Sequence, residues 1–71
     1  MQNDSIEIVV NGERKSVPAD LSVSELLNAL EVAADRVAVE LNKSIVRKRD
    51  WGKTPVPNGS QIEIVQFVGG G

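Results

Sequence analysis

The side chains that carry out most covalent chemistry in proteins are absent from this chain. Its 71 residues include no cysteine and no histidine, which excludes thiol nucleophiles, disulfides, Cys/His zinc sites and histidine general bases. The remaining candidates are the carboxylates of Glu7, Glu40 and Glu63, which could face one another on a sheet, and three consecutive glycines at 69–71. Paired carboxylates do acid–base work only inside a cleft, and the sequence indicates none. We therefore interpret them as surface charges or partner contacts.

Composition and charge narrow the classes of function further. A chain of 71 residues forms one small domain with a thin core. The formal net charge of −2 argues against a nucleic-acid partner, because such proteins carry a basic excess. No apolar run could span a bilayer and no leader peptide is visible, so we expect a cytoplasmic protein without a membrane partner. We expect a carrier, a binding module or a regulatory subunit rather than an enzyme.

The first half of the chain predicts a hairpin followed by a helix. Asn11-Gly12 is the strongest short signal for a two-residue hairpin turn, because both central positions need positive φ. Pro18 ends the returning strand, and Ser22 and Glu25 have the spacing of a helix capping box. The predicted elements are a strand over 6–10, the turn, a strand over 13–17 and a helix over 23–31.

The second half predicts three more strands and one long loop. These are a strand over 36–41, a turn at Asn42-Lys43, a short strand at Ile45-Val46, a loop over 47–60 pinned by Trp51, and a strand over 61–68. The first and last strands are the most apolar, so we expect both to be central and to pair in parallel. One helix then covers one face of a mixed sheet of four to five strands, which is the α+β arrangement called β-grasp, or ubiquitin-like.

A family resemblance covers nearly the whole length and is strongest in the second half. The residues that carry it are VAVELN at 37–42, IVRK at 45–48, Trp51, and NGSQIEIVQFVGGG at 58–71, with IEIVQFVGGG the most specific part. With these residues the chain resembles the sulfur carrier proteins of thiamin biosynthesis, the ThiS family. The resemblance divides the chain into a β-grasp domain over 1–68, with 1–5 as a short N-terminal extension, and a flexible glycine tail over 69–71.

The resemblance implies that the chain is a co-substrate and not a catalyst. An E1-like, ThiF-like enzyme would adenylate the terminal glycine with ATP, and sulfur from a donor protein would then displace AMP. The resulting thiocarboxylate would deliver sulfur to a ThiG-like thiazole synthase. Gly71 would then be the adenylated and sulfur-bearing residue, with Gly69 and Gly70 threading the partner's channel, since glycine is slim and conformationally free. We expect no metal and no bound cofactor, because ATP is used by the partner.

A second expected site is an apolar surface near the tail. Four residues alternate onto the sheet face opposite the helix: Val9, Ala38, Val65 and Phe67. Exposed apolar patches commonly mark partner sites, although strands also favour such residues for their own sake. We interpret these four residues as a docking surface for the partners.

Three other functions are compatible with the same residues. The small subunit of molybdopterin synthase, a MoaD-like sulfur carrier, shares the fold and a Gly-Gly terminus but is usually longer. The Trp51 region and the FVGGG ending favour the thiazole pathway. A ubiquitin-like protein modifier, conjugated to lysines, and a non-covalent ubiquitin-like binding module are the remaining alternatives.

Overall fold

The computed structural model describes residues 4–67, which form one mixed sheet with a helix packed on one face. The strands lie in the order β2-β1-β5-β3-β4. In chain order the elements are β1 (Ser5–Val10), β2 (Glu13–Pro18), α1 (Val23–Ala29), a 3-10 turn (Ala34–Arg36), β3 (Val37–Leu41), β4 (Ser44–Val46), a 3-10 helix (Lys48–Lys53) and β5 (Gln61–Gln66).

Both predicted two-residue turns are confirmed. Asn11 and Gly12 take φ values of 51° and 86°, and they join Val10 directly to Glu13 across the β1–β2 ladder. The second turn, between β3 and β4, has the same conformation with φ values of 52° and 73° at Asn42 and Lys43. Positive φ at both positions gives the turn a twist that matches its flanking strands.

The centre of the sheet is β5, which pairs in parallel with β1 and antiparallel with β3. This confirms the predicted mixed sheet and the parallel pairing of the first and last strands. The two ladders differ in length. The ladder with β1 covers only Gln61 and Ile62, whereas the ladder with β3 runs from Ile62 to Gln66. The last part of β5 is therefore paired on one side only.

Helix α1 is held by its cap and by the core. The Glu25 N–H donates to Ser22 Oγ at 3.1 Å, and the Ser22 N–H donates to Glu25 Oε1 at 2.9 Å, which is the predicted capping box. The helix buries Val23, Leu26 and Leu27 against the sheet. It ends at Ala29, earlier than predicted, since Leu30 caps it and Glu31 takes a φ of 60°. A helix this short depends on such packing.

The segment predicted as a loop over 47–60 contains the 3-10 helix, so the prediction of a loop was wrong for Lys48–Lys53. Trp51 in that helix is 4% exposed, and its Nε1–H donates to the Val46 carbonyl at 2.9 Å. The role of Trp51 as the anchor of this segment is confirmed. The six-residue helix has no periodic apolar pattern of its own, because one aromatic side chain provides most of its burial.

The two ends of the domain differ from the predicted boundaries. Strand β1 begins at Ser5, and the Asp4 carbonyl accepts a hydrogen bond from the Ala19 N–H at 2.8 Å. Asp4 and Ser5 thus belong to the folded body rather than to an extension. Strand β5 ends at Gln66, so Phe67, which the predicted strand over 61–68 included, lies beyond it. Val68 and the glycine tail over 69–71 lie outside the described residues.

Candidate functional site

The last described residues of β5 lead towards the three glycines. Gly69, Gly70 and Gly71, to which the resemblance assigns tail threading and sulfur carriage, lie outside residues 4–67. Phe67 is the last described residue, and only Val68 separates it from the glycines in sequence. The candidate site is therefore built from the residues that hold and surround the end of β5.

The alternation of β5 sends its side chains to two different environments. Ile62 is 2% exposed and Ile64 packs against the core, so both face α1. Glu63, Val65 and Phe67 follow the opposite alternation and are exposed. The strand is thus anchored through one face while the other face remains open to solvent.

Three apolar side chains cluster on the open face near the end of β5. Val65 lies directly opposite Ala38 of β3 and is 55% exposed, and Phe67 is 58% exposed. The Phe67 N–H donates to the Arg36 carbonyl at 2.8 Å, which holds its backbone beside β3. We call Ala38, Val65 and Phe67 the open-face patch. Apolar side chains exposed to this extent next to one another are typical of partner sites.

Val9, the fourth predicted docking residue, lies elsewhere on the same face. It is half-buried and pairs with Gln61, at the beginning of β5. Val65 is four residues further along the strand, a separation of about 13 Å. The register therefore brings Ala38, Val65 and Phe67 together but leaves Val9 at the other end of β5.

One exposed apolar residue of the open face was missed. Ile45 of β4 is 73% exposed and lies opposite Glu40 of β3. Its neighbour Val46 packs against the core. Strand alternation places these two residues on opposite faces. The strand has only three residues, however, and this is too short for an alternating pattern to be recognised in the sequence.

Two of the three candidate carboxylates face each other. Glu40 and Glu63 are directly opposite in the antiparallel ladder, whereas Glu7 pairs with Ser16 of the edge strand β2. Neither Glu40 nor Glu63 takes part in the two ion pairs among residues 4–67, Lys15–Glu13 at 3.8 Å and Lys53–Asp50 at 3.7 Å. Opposed like charges destabilise a sheet, so this pair does not serve the stability of the isolated domain.

Two asparagine side chains hold β5, one near each end. At the beginning of the strand, Asn42 Oδ1 accepts the Gln61 N–H at 2.8 Å. Further along, Asn11 Oδ1 accepts the Ile64 N–H at 2.8 Å, and Asn11 Nδ2 donates to the Ile64 carbonyl at 3.3 Å. The backbone position of β5 is thus fixed by side chains from both hairpin turns.

Between residues 4 and 67 there is no group of three or more His, Cys, Asp or Glu side chains arranged to hold a metal ion. Over the same residues, no helix has the length and apolar character needed to cross a membrane.

Comparisons with known proteins agree with this architecture. The ThiS family model matches residues 3–71. A crystal structure of the thiamine biosynthesis protein ThiS from Geobacter metallireducens superposes with a TM-score of 0.83 at 39% identity, covering 93% of this chain and all of that one.

Two curated relatives extend the comparison. The sulfur carrier protein ThiS of Escherichia coli is 30% identical over 93% of this chain and 100% of its own length. A thiazole synthase of Paramagnetospirillum magneticum is 41% identical over 93% of this chain, which spans only 20% of that protein's length. Because the family model and the solved structure each match almost the whole chain, the protein is a member of the ThiS family.

Proposed function

We propose that the chain is a sulfur carrier whose Gly71 carboxylate is adenylated and converted to a thiocarboxylate, which donates sulfur to thiazole synthase in thiamin biosynthesis. The observation that carries the proposal is membership of the ThiS family over residues 3–71, a span that includes the glycine tail. The similarity to part of a thiazole synthase supports that enzyme as the acceptor.

The proposed reaction begins with activation of a poor electrophile. A carboxylate oxygen of Gly71 attacks the α-phosphorus of ATP on the adenylating partner, and pyrophosphate leaves. A sulfur nucleophile from the donor then attacks the acyl carbon, so that a C–S bond forms as the C–O bond to AMP breaks. When the donor is a persulfide, a second thiol must cleave the resulting S–S bond to release the thiocarboxylate, and that thiol ends in a disulfide.

In this proposal the domain serves as the part that its partners bind, while the tail reacts. The chain has no cysteine, so no internal thiol can capture the activated carbonyl. The open-face patch lies where β5 approaches the tail, which makes it the surface that an adenylating enzyme would contact while Gly71 enters its active site. Burial of Val65 and Phe67 at such an interface contributes binding energy through the apolar area removed from water.

The test is pyrophosphate release and sulfur incorporation with the cognate adenylating enzyme. With the full chain as its substrate, the enzyme should release pyrophosphate from ATP. When sulfide is added, mass spectrometry should show that one oxygen of Gly71 has been replaced by sulfur. Two variants serve as controls: deletion of Gly71, and a C-terminal amide that keeps all 71 residues. Both should be inactive and fully folded.

Three outcomes decide the proposal. Sulfur incorporation into either control variant, the Gly71 deletion or the C-terminal amide, would refute Gly71 as the reacting residue. Absence of pyrophosphate release from the full chain would refute the carrier function itself. A thiocarboxylate that supplies molybdopterin synthesis but not thiazole formation would move the protein to the MoaD-like alternative.

A further inference from the structure

We infer that Asn11 is a positioning residue whose side chain completes the β1 side of β5 and thereby sets the direction in which the tail leaves the sheet. The inference rests on the proposed function, since the direction of the tail matters only if a partner must receive it. It assigns Asn11 a role beyond the hairpin turn.

The hydrogen bonds along β5 show what the Asn11 side chain replaces. On the β1 side, the Val9 N–H donates to the Ser60 carbonyl and the Asn11 N–H donates to the Ile62 carbonyl, both at 2.9 Å. The next β5 residue that faces this side is Ile64. Its N–H and carbonyl are both bonded by the Asn11 side-chain amide. One side chain thus supplies the donor and the acceptor that a further residue of β1 would have supplied.

The chain cannot supply these groups from its backbone. At Asn11 the backbone takes a φ of 51° and turns away into β2. A groove of about 260 Å³ lies at this point, and its lining includes Asn11, Ile64 and Gln66. Without the side-chain amide of Asn11, the part of β5 that follows Ile62 would be hydrogen-bonded to β3 alone.

The turn by itself does not require an asparagine. Glycine adopts positive φ more readily than any other residue, so an Asn11→Gly variant keeps the two-residue turn and loses only the side chain. Asn42 provides a matched control. It also occupies the first position of a two-residue turn, with a φ of 52°, and its side chain also accepts from β5, but at Gln61. The two variants therefore remove similar groups from opposite ends of the strand.

The expected effect is on recognition rather than on the chemical step. If the last residues of β5 sample several directions, only a fraction of the tails is correctly aimed, and the apparent Kd equals the intrinsic Kd divided by that fraction. A hydrogen-bond contribution of ordinary size corresponds to about a fivefold change. We expect Asn11→Gly to raise the KM for the carrier in pyrophosphate release about fivefold and to leave kcat unchanged. For Asn42→Gly we expect an unchanged KM.

Amide hydrogen exchange tests the hydrogen bonds between the Asn11 side chain and Ile64 independently of any partner. In Asn11→Gly the Ile64 amide should exchange about tenfold faster, whereas in Asn42→Gly the faster amide should be that of Gln61. Equal KM values in the two variants, or unchanged protection of Ile64, would overturn the inference. A wild-type chain that is not adenylated at all would instead overturn the proposed function, and the exchange of Ile64 would still decide whether Asn11 holds β5.

Discussion

The two halves of β5 differ in their backbone pairing and in the burial of the residues that face α1, although they belong to one strand of six residues. The first half has backbone partners on both sides, and Ile62 is 2% exposed. The second half is paired by backbone to β3 alone, with the Asn11 side chain on its other side, and Ile64, which also faces α1, is only half-buried. On the face that packs against α1, burial therefore decreases from Ile62 to Ile64, while Val65 on the open face is 55% exposed.

Under the proposed function, this difference separates the part of the strand that stabilises the domain from the part that a partner would bind. The first half fixes the sheet, because Ile62 packs with residues of α1 and of the neighbouring strands in the same core cluster. The second half carries an exposed apolar side chain, Val65, that the isolated domain does not need, and it leads in sequence to the glycine tail. A small domain has little stability to spare. We therefore interpret exposed apolar side chains that do not stabilise its core as a candidate binding surface.

The largest expected contrast is in stability between Ile62→Ala and Val65→Ala. Removal of the buried Ile62 side chain leaves a cavity and should lower the free energy of unfolding by about 3 kcal/mol. The same truncation at the exposed Val65 should cost about 0.5 kcal/mol. Urea unfolding of the two variants measures both values. Similar losses would show that Val65 contributes as much to the core as Ile62 does, and would contradict its assignment to an open face that the isolated domain does not need.

A second contrast concerns function at the open-face patch. Phe67→Ala should lower kcat/KM for adenylation about tenfold, because large side chains that anchor an interface are among the few residues that contribute more than about 1 kcal/mol to binding. Its unfolding temperature should not change. Ile45→Ala serves as the control, since it removes another exposed apolar side chain from the same face at the edge strand β4. Equal losses in the two variants would extend the docking surface to β4, and no loss in Phe67→Ala would exclude the patch.

The smallest expected effect is at the boundary between the halves, where Glu63 lies opposite Glu40. Glu63→Gln removes the repulsion and should stabilise the domain by about 0.5 kcal/mol at low salt, and by less as salt screens the charges. Glu7→Gln is the control, because Glu7 lies opposite Ser16. Thermal unfolding at two salt concentrations measures both variants. Equal changes in stability for the two variants at both salt concentrations would show that the opposed Glu40 and Glu63 do not destabilise the domain.

Much of the fold could be predicted from local sequence. The turn at Asn11, the capping box at Ser22 and the alternation of Ile62 with Glu63 all depend on residues within a few positions of each other. Their physical causes are equally local: positive φ, a cap for unsatisfied amides, and strand pleating. The parallel pairing of β1 and β5 was predicted on less local grounds, from the apolar character of the first and last strands, which indicated that both are central in the sheet.

The parts that could not be predicted depend on contacts between distant residues. The separation of Val9 from Phe67 is a matter of register between β1 and β5, which no short pattern specifies. The hydrogen bonds of Asn11 join residues 53 positions apart. The 3-10 helix around Trp51 is stabilised by burial of one side chain, and burial is a property of the folded domain.

The most direct test of the account is the mass of the protein isolated from cells that are making thiamin. Intact-mass and fragment spectra should show a fraction of the chains with one oxygen replaced by sulfur, and the fragments should place that sulfur on Gly71. A C-terminus that remains an ordinary carboxylate in every molecule, under conditions in which thiazole is being formed, would contradict the account.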